Sequence, residues 1–214
     1  MKNKFLWSLV VIMGLSFGVG SVQGSANEGT SATCWSPAKV QLQSQLRKLW
    51  IDHTVWTSRY IVSAVAGLPD QKLVLDRLLK NQQDLGDAIK PYYGEQAGNK
   101  LGELLREHIL LAGKVVDAAK SGNQANLNKY NKEWYRNADD IAKFLSGANP
   151  NWSQKDLQDL LYMHLKFVAD QATARIKKDW KADIDAFDQG EDHILKLSDT
   201  LAEGIIKQFP DKFK

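Results

Sequence analysis

The sequence predicts an all-α fold, an up-down helical bundle of about six helices built from three diverged helical hairpins. Two observations lead to this fold class. Beyond residue 36 no stretch alternates apolar and polar residues with the period of two of a half-buried strand, whereas apolar residues recur at steps of three and four. In addition, three histidines recur at intervals of 55 and 56 residues, which indicates an internal repeat of helical units.

The first residues have the three parts of a signal peptide. Lys2 and Lys4 give a positive start, residues 5–22 are apolar apart from Gly and Ser, and small residues follow at 24–26. We therefore expect residues 1–26 to be a cleaved signal peptide and the mature protein to be exported, as a secreted, periplasmic or cell-surface protein. The apolar run approaches the length of a membrane-spanning helix, so an uncleaved leader that anchors the chain in a membrane is the alternative.

Charge and cysteine content narrow the classes of function. Two of the 28 Lys and Arg residues, Lys2 and Lys4, lie in the leader, which leaves 26 against 25 acidic residues. These charges are interspersed without a basic block, so we expect no nucleic-acid partner. Cys34 is the single cysteine of the chain, and therefore no intramolecular disulfide can form.

Small polar residues mark the boundary between the leader and the folded domain. Residues 27–36 are typical of a flexible linker, and Ser36 followed by Pro37 is typical of a helix start, with Ser as the capping residue. We expect the helical bundle domain to cover residues 37–209 and a short C-terminal tail to cover residues 210–214.

Turn signals within the bundle domain are sparse and separate the expected helices. The stretch 153–209 contains neither proline nor a turn cluster, yet a single helix of 57 residues is unusually long, so we place a break near residues 177–180. Ser153 with Asp156 forms a capping box at the start of this stretch. The other turn signals are Gly67-Leu68-Pro69, Pro91-Tyr92-Tyr93-Gly94, Ser121-Gly122 and Gly147-Ala148-Asn149-Pro150.

The repeat pairs each recurring histidine with a polar motif on the returning helix. Each histidine lies about 14 residues before a predicted turn, and the motif begins 28, 29 or 24 residues after the histidine. Because both are about equally far from the turn, the hairpin brings them to one level. The third offset is one helical turn short, so that alignment is the weakest. The pairs are His53 with Asn81-Gln82-Gln83-Asp84, His108 with Asn137-Ala138-Asp139-Asp140, and His164 with Asp188-Gln189-Gly190-Glu191.

Helical periodicity places these polar residues on the inner faces of their helices. His53 fills a gap in the apolar stripe between Leu42 and Ala64, and Asn81 falls in an apolar seam, with Asp84 one turn further along the same face. The second hairpin repeats this arrangement with His108, Asn137 and Asp140, and in the third His164 lies among the apolar residues of its own helix. The sequence therefore predicts a buried layer of polar side chains.

Buried polar groups need partners, because an unpaired one costs a few kcal/mol, and three interpretations supply them. Each hairpin satisfies its own groups; or a His–Asp pair acts as a general acid and base; or histidines and acids converge on a transition-metal ion. The third is the leading hypothesis, since imidazole with carboxylate suits zinc, iron, manganese or copper. Its ligands would be His53, His108, His164, His193, Asp84, Asp140 and Glu191, with Asn81, Asn137, Trp56 and Glu103 around them.

Two features oppose the metal hypothesis. Across the turn at Gly94, Asp84 and His108 are offset by four residues, so Glu103 would lie more nearly level with Asp84 than His108 does. In addition, the mature sequence contains neither His-Glu-x-x-His nor Gly-x-Ser-x-Gly, and no Glu stands three residues before a His. The sequence therefore assigns no catalytic residues and no enzyme class.

An aromatic cluster predicts a different class of function. The end of the bundle opposite the three hairpin turns collects Trp35, Tyr92, Tyr93 and Trp152. Exposed aromatics there would make the chain a non-enzymatic interaction protein of the cell envelope, with purely structural histidines. Alternatively, the same rings, with Phe209 and Phe213, close the open end of the bundle.

Overall fold

The computed structural model describes residues 36–214, which form five α-helices and a C-terminal 3-10 helix. No strand occurs in this range, so the all-α prediction is confirmed. The expected signal peptide, Cys34, Trp35 and nearly all of the expected linker lie outside the described residues. No helix between residues 36 and 214 is long and apolar enough to cross a membrane. The helices are α1 (Pro37–Ala66), α2 (Gln71–Lys120), α3 (Gln124–Ala148), α4 (Gln154–Lys177), α5 (Trp180–Gln208) and η1 (Pro210–Phe213).

The helix starts use the predicted caps. Ser36 Oγ accepts a hydrogen bond from the backbone N–H of Lys39 at 3.4 Å, with Pro37 in the first turn of α1. Ser153 Oγ likewise accepts from the backbone N–H of Asp156 at 3.3 Å and starts α4. Each cap satisfies one of the backbone donors that a helix start leaves unpaired.

The three hairpin turns share one backbone conformation. Gly67, Gly122 and Lys178 follow α1, α2 and α4, and all three are left-handed, with φ of 67°, 67° and 61°. Glycine adopts this conformation without steric cost, whereas Lys178 adopts it against the preference of its Cβ atom. Each of these residues lies 14 positions after its histidine, as the sequence predicts.

The described residues form five α-helices rather than the expected six, because the predicted turn at residues 91–94 is a sharp reversal within α2 and not a separate loop. Only Gly94 leaves the helical region, with φ 83° and ψ 171°. A Cβ atom on Gly86 would lie 2.5 Å from the carbonyl oxygen of Gly98. Residues 12 apart in a straight helix are separated by about 18 Å, so α2 must fold back on itself at Gly94. Its limbs, residues 71–93 and 95–120, therefore pack as antiparallel neighbours.

The helices pack in a closed order around a single apolar core. α1 contacts α2, α4 and α5, while α3 packs between α2 and α4. At the end that carries the hairpin turns, Lys120 Nζ donates to the carbonyl of Ala64 at 2.7 Å. At the opposite end, Ser36 Oγ donates to the carbonyl of Phe213 at 2.6 Å. The expected C-terminal tail is thus a 3-10 helix held against α1, with Phe213 buried.

The close approach of the two limbs of α2 predicts a strong effect of Gly86→Ala. The added Cβ atom would meet the backbone of Gly98 at 2.5 Å, which a side-chain rotation cannot relieve. We expect the free energy of unfolding, measured by urea denaturation, to fall by about 1–3 kcal/mol or more.

The matched control is Gly147→Ala in α3, where the added Cβ atom has no neighbour within 4 Å. Alanine there should be neutral or stabilise the chain by up to about 1 kcal/mol, because it lowers the entropy lost on folding. Equal effects of the two substitutions would contradict the packing of the two limbs.

Candidate functional site

Three histidines from three helices meet in the interior of the bundle. His53 on α1, His108 on the second limb of α2 and His164 on α4 are only 3%, 3% and 4% exposed. The ring centroids of His53 and His164 are 5.5 Å apart, and those of His108 and His164 are 6.0 Å apart. The sequence indicates an offset of four residues between neighbouring hairpins. This offset does not keep the three rings apart. We call these three residues the histidine layer.

The histidine layer borders an internal cavity of about 20 Å³. A volume of this size holds about one water molecule, provided that polar partners are present. Thr57, Tyr60 and Trp134 also line the cavity, and the remaining lining residues are apolar. The cavity is therefore a small space whose polar lining residues are the three histidines with Thr57, Tyr60 and Trp134.

Asn137 holds His108 in one orientation. Its side-chain Nδ2 donates to the carbonyl of Leu104 at 3.1 Å, and its Oδ1 lies 2.8 Å from Nδ1 of His108. An amide oxygen can only accept, so Nδ1 of His108 carries the proton. The other ring nitrogen, Nε2, then keeps a free lone pair.

Asn81 occupies the same position in the first hairpin. Its Nδ2 donates to the carbonyl of Leu49 at 2.9 Å, and both Asn81 and Asn137 are fully buried. Leu49 and Leu104 each lie four residues before their histidine. Oδ1 of Asn81 and Nδ1 of His53 form no well-aligned hydrogen bond with any described residue, although Asn81 is close enough to favour the protonated form of His53.

In the third hairpin the same position is occupied by His193, which corrects the sequence alignment. Nε2 of His193 lies 2.8 Å from the carbonyl of Leu160, which again is four residues before the layer histidine. His193 follows His164 by 29 residues, the same spacing as between His108 and Asn137. The motif that we aligned instead begins at Asp188, and Asp188 and Gln189 are exposed. The first two hairpins have an asparagine at this position. Because the third has a histidine instead, its equivalence to the asparagines could not be recognised from the sequence.

Burial keeps the histidine layer neutral at physiological pH. Desolvation, with a smaller contribution from the neighbouring His108, lowers the pKa of His53 to about 4. Desolvation also lowers the pKa of His108 to about 4, against a smaller raising effect of the Asn137 hydrogen bond. The pKa of His164 lies well below its ordinary value because of burial and of His53 and His108. Neutral imidazole is the form that binds transition metals.

The predicted carboxylate ligands lie outside the histidine layer. Asp84 binds Lys80 Nζ at 2.5 Å, Asp140 binds Arg136, and both carboxylates are partly exposed. Glu103 is exposed and lies 3.6 Å from Lys100 Nζ, while Glu191 is half-buried. Within residues 36–214 no group of three or more His, Cys, Asp or Glu side chains has the arrangement of a ready metal site.

Two neighbours of the histidine layer were missed from the sequence. Trp50 and Trp134 are buried, and their rings lie 5.7 Å from His53 and 5.4 Å from His108. Each stands three residues before a site residue, a spacing that could have indicated contact. Both Nε1 atoms are buried with no hydrogen-bond partner among the described residues. Trp56, expected beside the site, instead lies half-buried between Arg59 and Arg77.

The aromatic cluster closes the end of the bundle opposite the hairpin turns. Trp152 is buried, and Tyr92 and Tyr93 are half-buried. The rings pack in contact, with centroids 5.7 Å apart for Tyr92 and Phe213 and 5.4 Å apart for Tyr93 and Phe209. These residues therefore form a packed cap rather than an open patch, while Trp35 lies outside the described residues.

Comparisons with protein-family models, with curated proteins and with solved structures find no match to this chain.

The lowered pKa values predict that the stability of the fold decreases as the pH decreases, within a defined pH range. The unfolded chain binds protons on His53 and His108 near pH 6.5, whereas the folded chain binds them only near pH 4. Stability is therefore fully present above pH 6.5 and is lost as the pH falls towards 4. In metal-free buffer, we expect urea denaturation between pH 6.5 and 5 to lose about 1.4 kcal/mol per pH unit for each buried histidine.

The control for this prediction is His108→Gln, which removes one of the titrating groups. Its stability should start lower and fall less steeply over the same pH range. A stability independent of pH between 6.5 and 5 in the unmodified chain would contradict the buried neutral state of the layer.

Proposed function

We propose that the chain is a metal-binding protein that holds one transition-metal ion between the three imidazoles of the histidine layer. The observation that carries the proposal is the convergence of three neutral, buried histidines from three separate hairpins on one cavity. The three equivalent hydrogen bonds to Leu49, Leu104 and Leu160 support a threefold repeat of one hairpin as the origin of this arrangement.

The spacing of the rings is close to what three shared ligands require. A metal–nitrogen distance of about 2.0–2.1 Å and tetrahedral angles place the ring centroids of coordinating imidazoles roughly 5 Å apart. The observed separations from His164 are 5.5 Å and 6.0 Å. The centroid separations of these two pairs of rings therefore differ from that spacing by about 1 Å or less, and the rings would have to rotate to direct their nitrogen atoms at a shared ion.

The bond from Asn137 to His108 supports the proposal further. Metal-binding histidines usually donate their second ring N–H to an oxygen atom, which fixes the tautomer and the ring orientation. Oδ1 of Asn137 plays this role for Nδ1 of His108 at 2.8 Å, so Nε2 is the free donor atom. Asn137 also donates to Oε2 of Glu107 at 3.3 Å, which connects the buried site to a surface carboxylate.

The ligand set favours some ions over others. Imidazole suits zinc, copper and iron, whereas manganese prefers carboxylate oxygen atoms. Because Asp84 and Asp140 are held in surface ion pairs, the layer offers only nitrogen ligands from described residues. We therefore propose zinc or copper as the bound ion, with iron as the next candidate. Manganese, which the sequence analysis included, is no longer proposed.

The main opposing effect is the burial of a divalent charge among neutral ligands. Moving an ion into an apolar interior costs several kcal/mol even after relaxation. Coordination can outweigh this cost, since zinc-finger peptides, whose ligands include thiolates, bind zinc with a net gain of about 10–16 kcal/mol. A hydroxide at the fourth position would lower the net charge of the site.

We also propose that the protein acts outside the cytoplasm, on the strength of the leader pattern in residues 1–26. The alternative function is a non-enzymatic interaction protein of the cell envelope with structural histidines. At the aromatic end the rings of Tyr92 and Tyr93 pack on Phe213 and Phe209, which leaves less aromatic surface for that role than the sequence indicates. The metal hypothesis therefore stands first.

The test is elemental analysis and equilibrium titration with zinc and copper on protein purified without an affinity tag. The unmodified chain should bind about one ion, and His53→Gln, His108→Gln and His164→Gln should each reduce affinity by about 10-fold or more. The losses should be strongly non-additive in double variants, because a site without one ligand gains little from the others.

The matched control is Asp84→Asn, which removes a surface carboxylate that the sequence predicted as a ligand. It should leave metal affinity unchanged. Binding of less than about 0.2 ion per chain after reconstitution would contradict the proposal. If the stability losses of the histidine variants add up and a chelator does not change them, each histidine is instead satisfied within its own hairpin.

A further inference from the structure

The histidine layer is covered differently in the three hairpins. In the second hairpin, Arg136 binds both Glu107 and Asp140 over the buried Asn137. In the first hairpin, Arg77 lies 3.7 Å from Asp52 and 5.0 Å from the ring centroid of Trp56. Ion pairs thus lie over the outer side of these two positions.

The third hairpin lacks this cover among the described residues. Asp52 and Glu107 immediately precede their layer histidines, but the residue before His164 is Met163, whose exposed fraction is 43%. The residue before His193 is Asp192, which is exposed and forms no ion pair with a described residue. His193 itself is half-buried and therefore reaches both the surface and the interior.

His193 can bind a cation where an asparagine cannot. Its Nε2 faces the carbonyl of Leu160 at 2.8 Å, and because a carbonyl only accepts, Nε2 carries the proton. Nδ1 therefore keeps its lone pair on a ring whose orientation is fixed by the first bond. The two asparagines at this position offer only weak amide ligands to a transition metal.

A second small cavity lies beside the histidine layer on the side of the third hairpin. It has a volume of about 10 Å³ and shares Thr57, His164 and Val168 with the larger cavity. Its wall includes Gly190, one helical turn before His193, and the half-buried ring of Phe167. That ring lies 5.7 Å from His193, so the second cavity and His193 share a neighbour at the protein surface.

We propose that the third hairpin is the entry route of the metal ion and that His193 is its first ligand, passing the ion to His164. The proposal rests on the proposed function, because it concerns access to the same site. His193 binds the incoming ion through Nδ1, and the ion then moves past the small cavity to the layer. The final ligands are His53, His108 and His164, and His193 holds the ion only during transfer.

The test compares rates with affinities in the full-length mature protein and in His193→Asn. Asparagine occupies this position in the other two hairpins and can donate to the carbonyl of Leu160, so the variant should fold. We expect the equilibrium affinity for zinc to change by less than about 2-fold. The rates of zinc uptake and of release to a fluorescent chelator should both fall by about 10-fold, which corresponds to about 1.4 kcal/mol on the barrier to transfer.

The matched control is Asp192→Asn, which changes the neighbouring exposed residue and should leave both rates unchanged. A large loss of affinity in His193→Asn would make His193 a permanent ligand and overturn the entry route. Unchanged rates would also overturn it, while leaving zinc binding by the layer intact. An unmodified chain that takes up no zinc would overturn the proposed function and the entry route together.

Discussion

The site depends on one kind of contact, a hydrogen bond from the return helix of each hairpin to a helical carbonyl on the outgoing helix. The three bonds join Asn81, Asn137 and His193 to carbonyls four residues before the layer histidines, at 2.9, 3.1 and 2.8 Å. Breaking one would strand a buried polar group at a cost of about 1–3 kcal/mol. The bonds therefore fix the register of each hairpin, and the register fixes the level of each histidine.

Much of the fold could be predicted from the sequence because local signals determine it. Ser36 and Ser153 cap helices where capping chemistry predicts, and Gly67 and Gly122 turn the chain at equal distances from the histidines. The reversal within α2 was placed correctly but counted as a separate loop. A single glycine with positive φ suffices there because glycines on both limbs allow the backbones to approach closely.

The residues of the site were predicted only in part, because contacts between different hairpins leave no periodic pattern in the sequence. The equal distance of His53, His108 and His164 from their turns indicates one level along the bundle, but it does not determine how closely the rings of different hairpins approach. Asp84 and Asp140 lie outside the site because each pairs with a basic residue four positions earlier on the outer face of its helix. His193 was in the candidate set, but its equivalence to the asparagines appears only through its bond to Leu160.

The most direct measurement of the central claim is the X-ray absorption spectrum of the zinc-loaded protein at the zinc edge. Convergence of the three hairpins predicts three imidazole nitrogen atoms at about 2.0–2.1 Å, with the multiple-scattering features of rigid rings, and one further light ligand. Zinc surrounded mainly by carboxylate or water oxygen atoms, with one imidazole or none, would contradict the account.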